Sequence, residues 1–598
     1  MHAPGRRWTL PFALALVPLF PACGSGGSGD THGPVSVVLT DAASNEVESF
    51  VVRVTSLSLG KSTGTSVGVL AAPVEVDLAD ATDTGRLLDS LAVPVGFYTS
   101  ATITLDFNHS SCMLAGESTP ASVTDDQGQA LTGLVSYPIQ LGSTINVSSA
   151  LHRLLQVDFD LEQSLEVDSG SNTVALAPVL LLGVDPAAPR QIAIWGTLVG
   201  ADEVHSRFVL ELQDATGSPI DRVTCTTDSA TVFQTDGVPA TGAGGLGALS
   251  ALAAGTWVQG YGSVVPHGAG LALEFVEAGL GTWNGGSDIV EGHVVDRAGG
   301  AGADATLTVL GHGSDAAHAS VQWDTLFTVS TSFAGTHVVR LGSATAFDTD
   351  DVNIGQHVRI FGALSGATLD ASAGVLRLQP TQLFGTAAGA PAAGELTADV
   401  TRVGLVDRND FTWSSSGSTP TGPSALVSEV GTLADGLNID LATPVVLHGF
   451  FRPIDDAGAD FDAVSVANVA ESALILVRNR LLVGFDVALA CSSTSIGITI
   501  AGSAAPGEVA LLDQGFAGQS SLPSAPTPTL TPAGSAGLYT LCDRSAGTTV
   551  TYLGFSSFAS ALGDLVALGA EVRHVSAVGT YQSGSNTLSA SAATVVVQ

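Results

Sequence analysis

The residues of this chain able to do chemistry are few and dispersed. Gly60-Lys61-Ser62-Thr63-Gly64 has the spacing of a serine-hydrolase elbow and of the end of a phosphate-binding loop. A phosphate loop needs a further glycine five positions before Gly60, where Thr55 stands. A nucleophile elbow turns from strand into helix, and residues 66–76 read as another strand, so a hairpin turn is expected here. The 13 histidines are scattered, with no His-Glu-x-x-His pair. His312 and His318 fall in a Gly/Ala-rich stretch expected to be a loop. His293, His357, His448 and His574 fall at broadly similar places on expected strands, where a polar strand surface accounts for them without a metal. Asp455-Asp456-Ala457-Gly458-Ala459-Asp460-Phe461-Asp462 is the best candidate cation loop, but it lacks the full calcium-loop pattern. Asp348-Thr349-Asp350-Asp351 is a weaker one. No catalytic residue, cofactor site or metal site is assigned, and the chain is expected not to be an enzyme.

Composition limits the partners. Asp and Glu total 56 against 20 Lys and Arg, a net charge of −36, and Lys61 is the only lysine. So acidic a surface repels phosphate backbones, which excludes nucleic acid as a favoured partner. Hydrophobic residues make up 45% and aromatics only 6%, beside 70 glycines. That suits short strands and tight turns rather than long amphipathic helices.

Arg6 and Arg7 followed by the apolar residues 10–20 read as a signal peptide, too short to span a bilayer, which needs about 20 apolar residues. The segment Phe20-Pro21-Ala22-Cys23 resembles a lipoprotein cleavage box, which implies lipid attachment at Cys23. The following Gly24-Ser25-Gly26-Gly27-Ser28-Gly29 is a flexible tether. Gly24 directly after Cys23 resembles the outer-membrane sorting pattern of Gram-negative lipoproteins. Residues 473–491 are apolar but interrupted by Arg478, Arg480 and Asp486, so no later membrane helix is expected. Export leaves Cys112, Cys225, Cys491 and Cys542 free to form two disulfides in any of three connectivities. Cys491 with Cys542, both in the C-terminal segment, is the expected pair.

The expected fold is all-β: an N-terminal antiparallel β-sandwich followed by several small β-barrel-like modules. The expected order is a signal peptide over 1–23, a tether over 24–34 and the sandwich over 35–186. Modules then follow at 190–282, 289–385, 392–470 and 471–598. In residues 155–162 apolar and polar side chains alternate, placing Leu155, Val157, Phe159 and Leu161 on one face. Ile103-Thr104-Leu105-Asp106-Phe107 does the same. One short helix is expected near residues 86–91. Residues 387–394 read as a linker and 522–536 as a long, poorly ordered Pro/Ser/Thr-rich loop.

Val35-Ser36-Val37-Val38-Leu39-Thr40-Asp41-Ala42-Ala43 and the strand from Glu46 to Thr55 resemble the opening of a bacterial family, domain of unknown function 4382. Val74-Glu75-Val76-Asp77-Leu78, Val93-Pro94-Val95-Gly96-Phe97-Tyr98, Asp158-Phe159-Asp160-Leu161 and Ala177-Pro178-Val179-Leu180 follow in the order of that family. The resemblance implies a secreted or lipoprotein β-domain and no activity. The remainder reads as a degenerate repeat: a strand carrying glycine, a polar turn, then a final apolar strand. Examples are Gly260-Tyr261-Gly262, Ile360-Phe361-Gly362, Leu447-His448-Gly449 and Gly579-Thr580-Tyr581. These modules resemble domain of unknown function 5666, which implies small barrels of oligonucleotide/oligosaccharide-binding type. The functional expectation is a non-enzymatic, lipid-anchored envelope protein that binds a glycan, a cation or an envelope-protein partner, or projects a surface. A secreted hydrolase and an integral outer-membrane barrel are the alternatives.

Overall fold

The structure is a computed structural model. It describes residues 31–42, 46–79, 85–125, 128–168, 170–184, 191–213, 218–265, 270–282, 286–316, 320–404, 406–413, 423–454, 458–470, 472–479, 485–502, 509–513, 518–535, 537–546 and 548–598. It is nearly all β, as the alternating and glycine-punctuated sequence predicts.

The N-terminal unit is a sandwich. One sheet runs in the order Leu180–Val184, Arg153–Asp160, His32–Ala42, Gly85–Pro94. The other is built on Val47–Lys61, Gly96–Leu114 and Leu134–Val147. Leu155, Val157, Phe159 and Leu161 are buried in the core between them, against Phe50, Val54, Ile103 and Leu105. Most of the pairing is antiparallel, but His32–Ala42 runs parallel to Arg153–Asp160, Thr173–Leu176 runs parallel to Ser122–Thr124, and Gly85–Pro94 pairs parallel with Ile192–Asp202 of the next unit. Gly60-Lys61-Ser62-Thr63-Gly64 is the expected hairpin turn, with the Gly64 N–H donating to the Lys61 carbonyl at 2.9 Å. The expected helix at 86–91 is instead the strand Gly85–Pro94, whose pairing with His32–Ala42 overrides local propensity.

Four modules follow, and the first three share one strand order. In the first, Ile192–Asp202 (S1), Arg207–Gln213 (S2) and Pro219–Thr226 (S3) form a meander. S3 pairs parallel with Leu271–Ala278 (S5), S5 pairs antiparallel with Trp257–Val264 (S4), and S4 closes back on S1. The second module repeats this with Asp288–Ala298, Thr306–Ser314, Val321–Ser330, His357–Ser365 and Thr368–Gln379. The third does so with Thr381–Ala387, Glu395–Val403, Leu426–Glu429, Pro444–Phe451 and Phe461–Asn468. The fourth keeps the S1–S2, S1–S4 and S4–S5 pairings with Ser472–Arg478, Val509–Asp513, Val572–Gln582 and Thr587–Val597. It adds the hairpin Phe485–Cys491/Ile496–Gly502. In the first three modules the order 1-2-3-5-4-1 closes the sheet on itself as a small barrel. Helices Gly242–Ser250 and Phe555–Ala567 precede S4 in the first and fourth modules.

The glycines repeated in the sequence have one physical role. Gly262, Gly362, Gly449 and Gly579 each lie at a register shift in the S4–S5 ladder. A Cβ there would stand 2.0, 2.4, 2.0 and 2.0 Å from the carbonyl oxygens of Ala272, Asp370, Asp462 and Ser589. Only glycine admits so close an approach, and the bulge bends S4 enough to close the barrel.

Two segments differ from expectation. Residues 387–394 join S1 to S2 of the third module, so the boundary between sheets falls at Pro380, between Gln379 and Thr381. Within 522–536, Thr529–Pro532 is a strand paired with Ile496–Gly502 and Thr587–Val597. Leu522 and Leu530 are buried, and the buried Asn586 amide donates to the carbonyls of Pro523 and Pro526 at 2.6 Å each. Strand pairing, two buried leucines and the Asn586 amide together order a segment whose composition predicts a loop.

The expected Cys491–Cys542 disulfide is not formed. Cys112, Cys225, Cys491 and Cys542 are all free thiols. Tyr539 and Leu541 point into the fourth module's core, so Cys542 points the other way, against Val179 and Val596. Cys491 packs on the core side, beside Gly563 of the helix. Burial pushes the Cys112 thiol up to about 12 and raises the other three.

Candidate functional site

A dense group of titratable and aromatic side chains lies on the outer face of the second module. Its S1 strand alternates: Val290 and Val294 are fully buried in the barrel, so Glu291 and His293 point outward. Register supplies the neighbours. Glu291 faces His312 on S2 and Arg359 on S4, and His293 faces His357. Trp323, on S3, stacks on His312 with centroids 5.2 Å apart.

Arg359 Nε donates to Glu291 Oε2 at 2.5 Å, and His357 Nε2 lies 3.6 Å from Glu291 Oε1. The His293 and His357 rings stack at 4.9 Å. The side chains of Glu291, Arg359 and His357 remain 13%, 15% and 28% exposed, so the group lies in a recess rather than a sealed core. Gly404 of the third module forms a wall: a Cβ there would meet His293 Cε1 at 2.7 Å, and its φ of +56° also favours glycine. Glu48 of the sandwich approaches from another side, close enough to feel the charges of His312 and Asp324.

The electrostatics follow from this crowding. Burial alone would raise the Glu291 carboxyl, but Arg359, His357 and His312 outweigh it and hold it well below the ordinary range. Burial, reinforced by the neighbouring His357, depresses His293 well below its ordinary value. Burial also lowers His357, against the pull of Glu291. The recess thus offers one ionised, internally neutralised pair and two neutral imidazoles, each with one donor and one acceptor nitrogen. That is equipment for gripping a polar ligand. Among the described residues no group of three His, Cys, Asp or Glu is placed to hold a metal ion.

The residues singled out from sequence are distributed as follows. Cys23, residues 24–30 of the expected tether, His318 and Asp455-Asp456-Ala457 lie outside the described residues. His32, Gly33 and Pro34, expected at the end of the tether, instead open the strand His32–Ala42 by pairing with Pro94, Val93 and Ala92, so the sandwich begins at residue 32. Asp460 accepts the Val427 N–H at 2.8 Å, and Asp462 accepts from Arg452 Nε at 2.6 Å. Asp348 and Asp351 form the capping box of a short helical turn, and Asp350 accepts the Gly302 N–H at 2.8 Å. These acids are employed by the fold. His312 sits on a strand, not in a loop. Of the four similarly placed histidines, His357 and His574 are equivalent, each five residues before its bulge glycine. His293 lies on S1, and His448 adjoins Gly449.

Sequence reasoning did not single out Glu291, Arg359 or Trp323. The spacings Glu291-x-His293 and His357-x-Arg359 on adjacent strands were the available signal, and reading it requires the S1–S4 register. A second concavity of about 390 Å³ lies on the first module, lined by Gly200, Asp202, Arg207, Phe208, Val209 and Thr224.

Compared with known families, residues 32–178 match the model named Domain of unknown function (DUF4382). This is the sandwich, about a quarter of the chain. No curated protein matches the sequence.

Proposed function

We propose that this chain is a non-enzymatic, lipid-anchored protein of the bacterial cell envelope, a projecting scaffold that binds a glycan, a cation or an envelope-protein partner. Its signal peptide, Cys23 and the Gly/Ser tether supply the anchor, and outer-membrane attachment is the reading their sequence favours. The later modules are read as relatives of domain of unknown function 5666 on the strength of their barrel strand order.

The observation that carries the proposal is how the modules join. Glu277 and Arg377 hold equivalent S5 positions in successive modules, and they pair with each other at 2.6 Å while almost wholly buried. Arg377 also donates to the Gly281 carbonyl at 2.7 Å, and Gln234 donates to the Arg340 carbonyl. Between the second and third modules, the Ile454 N–H donates to Asp350, the Thr412 N–H to Val295, and the Phe451 N–H to the Gln356 side chain. Arg478 of the fourth module reaches Glu46 of the sandwich at 2.8 Å. Burial raises the Glu277 carboxyl to about 7 against the pull of Arg377, and removing either partner would strand the other between the modules, so this contact, with the hydrogen bonds beside it, fixes geometry between modules. A fixed arrangement suits projection and presentation.

An integral barrel is disfavoured by the same faces. Val290, Val294, Leu307 and Val309 fill the interior while Glu291 and His293 face out, the reverse of a lipid-facing barrel. The test is fractionation. Wild-type protein is expected in the membrane pellet, extractable by detergent, and Cys23→Ala in the soluble fraction. Wild-type protein in the soluble fraction contradicts the proposal.

A further inference from the structure

We propose that the recess on the second module binds a short, uncharged oligosaccharide, gripped by Trp323, His357, His293 and the Glu291–Arg359 pair. This rests on the reading of the chain as a binding protein and names the ligand class of its site.

Charge decides first. Arg359 already neutralises Glu291, and the stacked imidazoles of His293 and His357 are held uncharged by burial. An anion would have to displace Glu291 from Arg359 and pass Glu48 and Asp324. A neutral ligand avoids that cost.

Geometry decides next. Trp323, His312, Glu291, His293, His357 and Arg359 come from four adjacent strands in the order S3, S2, S1, S4. Four strands at about 4.8 Å spacing make a patch about 14 Å across. Along it, donors and acceptors alternate: imidazole nitrogens, two carboxylate oxygens and a guanidinium fork. Hydroxyls act as both donor and acceptor, so a run of vicinal hydroxyls matches that alternation. The rings of Trp323 and of the histidines add apolar surface for the C–H faces of a sugar. Glu291, His293, His357 and Arg359 stand on the regularly paired S1–S4 ladder, which holds a site more firmly than loops do, while His312 and Trp323 face each other at an irregularity of the S2–S3 ladder.

The experiment is calorimetric titration of residues 31–598 with chitohexaose, cellohexaose, maltohexaose and isomaltohexaose. An oligogalacturonate serves as the anionic control. The expected result is saturable binding of at least one neutral hexaose and none of the oligogalacturonate. Trp323→Ala and His357→Gln should each weaken it at least tenfold, with melting temperatures near wild type. Asp202→Ala, in the other concavity, should leave it unchanged. Should Trp323→Ala not fold, His357→Gln carries the test. Absence of binding by all four neutral sugars at millimolar concentration overturns the proposal, as does binding indifferent to both recess substitutions. Either outcome is separate from the scaffold reading, whose failure is read by the fractionation of wild type and Cys23→Ala.

Discussion

His574 shows most plainly what burial does to a single group. It is 7% exposed, and burial, then Arg478 and Arg544, depress it to about 3. Its folded value lies below its unfolded value of about 6.5, so the neutral form belongs to the fold. The stability it contributes is full above that value and is lost as pH falls towards about 3. The loss is about 1.4 kcal/mol per pH unit across that window. Thermal melts between pH 7 and pH 4 should therefore fall more steeply for wild type than for His574→Gln, which cannot titrate. Parallel curves would contradict this account of the site. His293 and His357 shift in the same direction and steepen both curves alike. None of this was visible in the sequence, where His574 is one histidine among 13. Its environment comes from strands more than 90 residues apart, since it pairs with Arg478.

At the scale of elements, the S4 bulge is the feature each module depends on. Gly449→Ala places a methyl group 2.0 Å from the Asp462 carbonyl oxygen, so backbone must move, at a cost of about 1–3 kcal/mol. Gly389, in the S1–S2 connection of the same module, has open space around its missing Cβ. Gly389→Ala is expected within about 0.5 kcal/mol of wild type. Denaturant unfolding of the two variants checks this, and equal effects would remove the bulge from the explanation. These elements were the legible part of the chain. Alternation gave the strands around Leu155 and Ile103, and the repeated glycines marked the S4 strands. The strand at 86–91 was misread because its partner His32–Ala42 lies some 50 residues away. The linker at 387–394 was misread because Ala- and Gly-rich composition does not distinguish a hairpin connection from a boundary. The Cys491–Cys542 pairing failed on side-chain direction, which depends on the register of Leu538–Asp543.

At the scale of the molecule, the sandwich and the four modules join through direct contacts rather than hanging as separate beads. The Glu277–Arg377 pair, the Gln234–Arg340 bond and the Arg478–Glu46 bridge each link different units. Such an assembly has a use where one end is fixed and the rest must stand away from a surface. Everything in the account therefore turns on whether the chain is anchored at its N-terminus. Mass spectrometry of the mature protein, purified from the membranes of an expressing Gram-negative host, answers this directly. The account predicts an N-terminal peptide beginning at Cys23 and carrying two or three acyl chains. A mature N-terminus at Ser25 or beyond, without lipid, would contradict it.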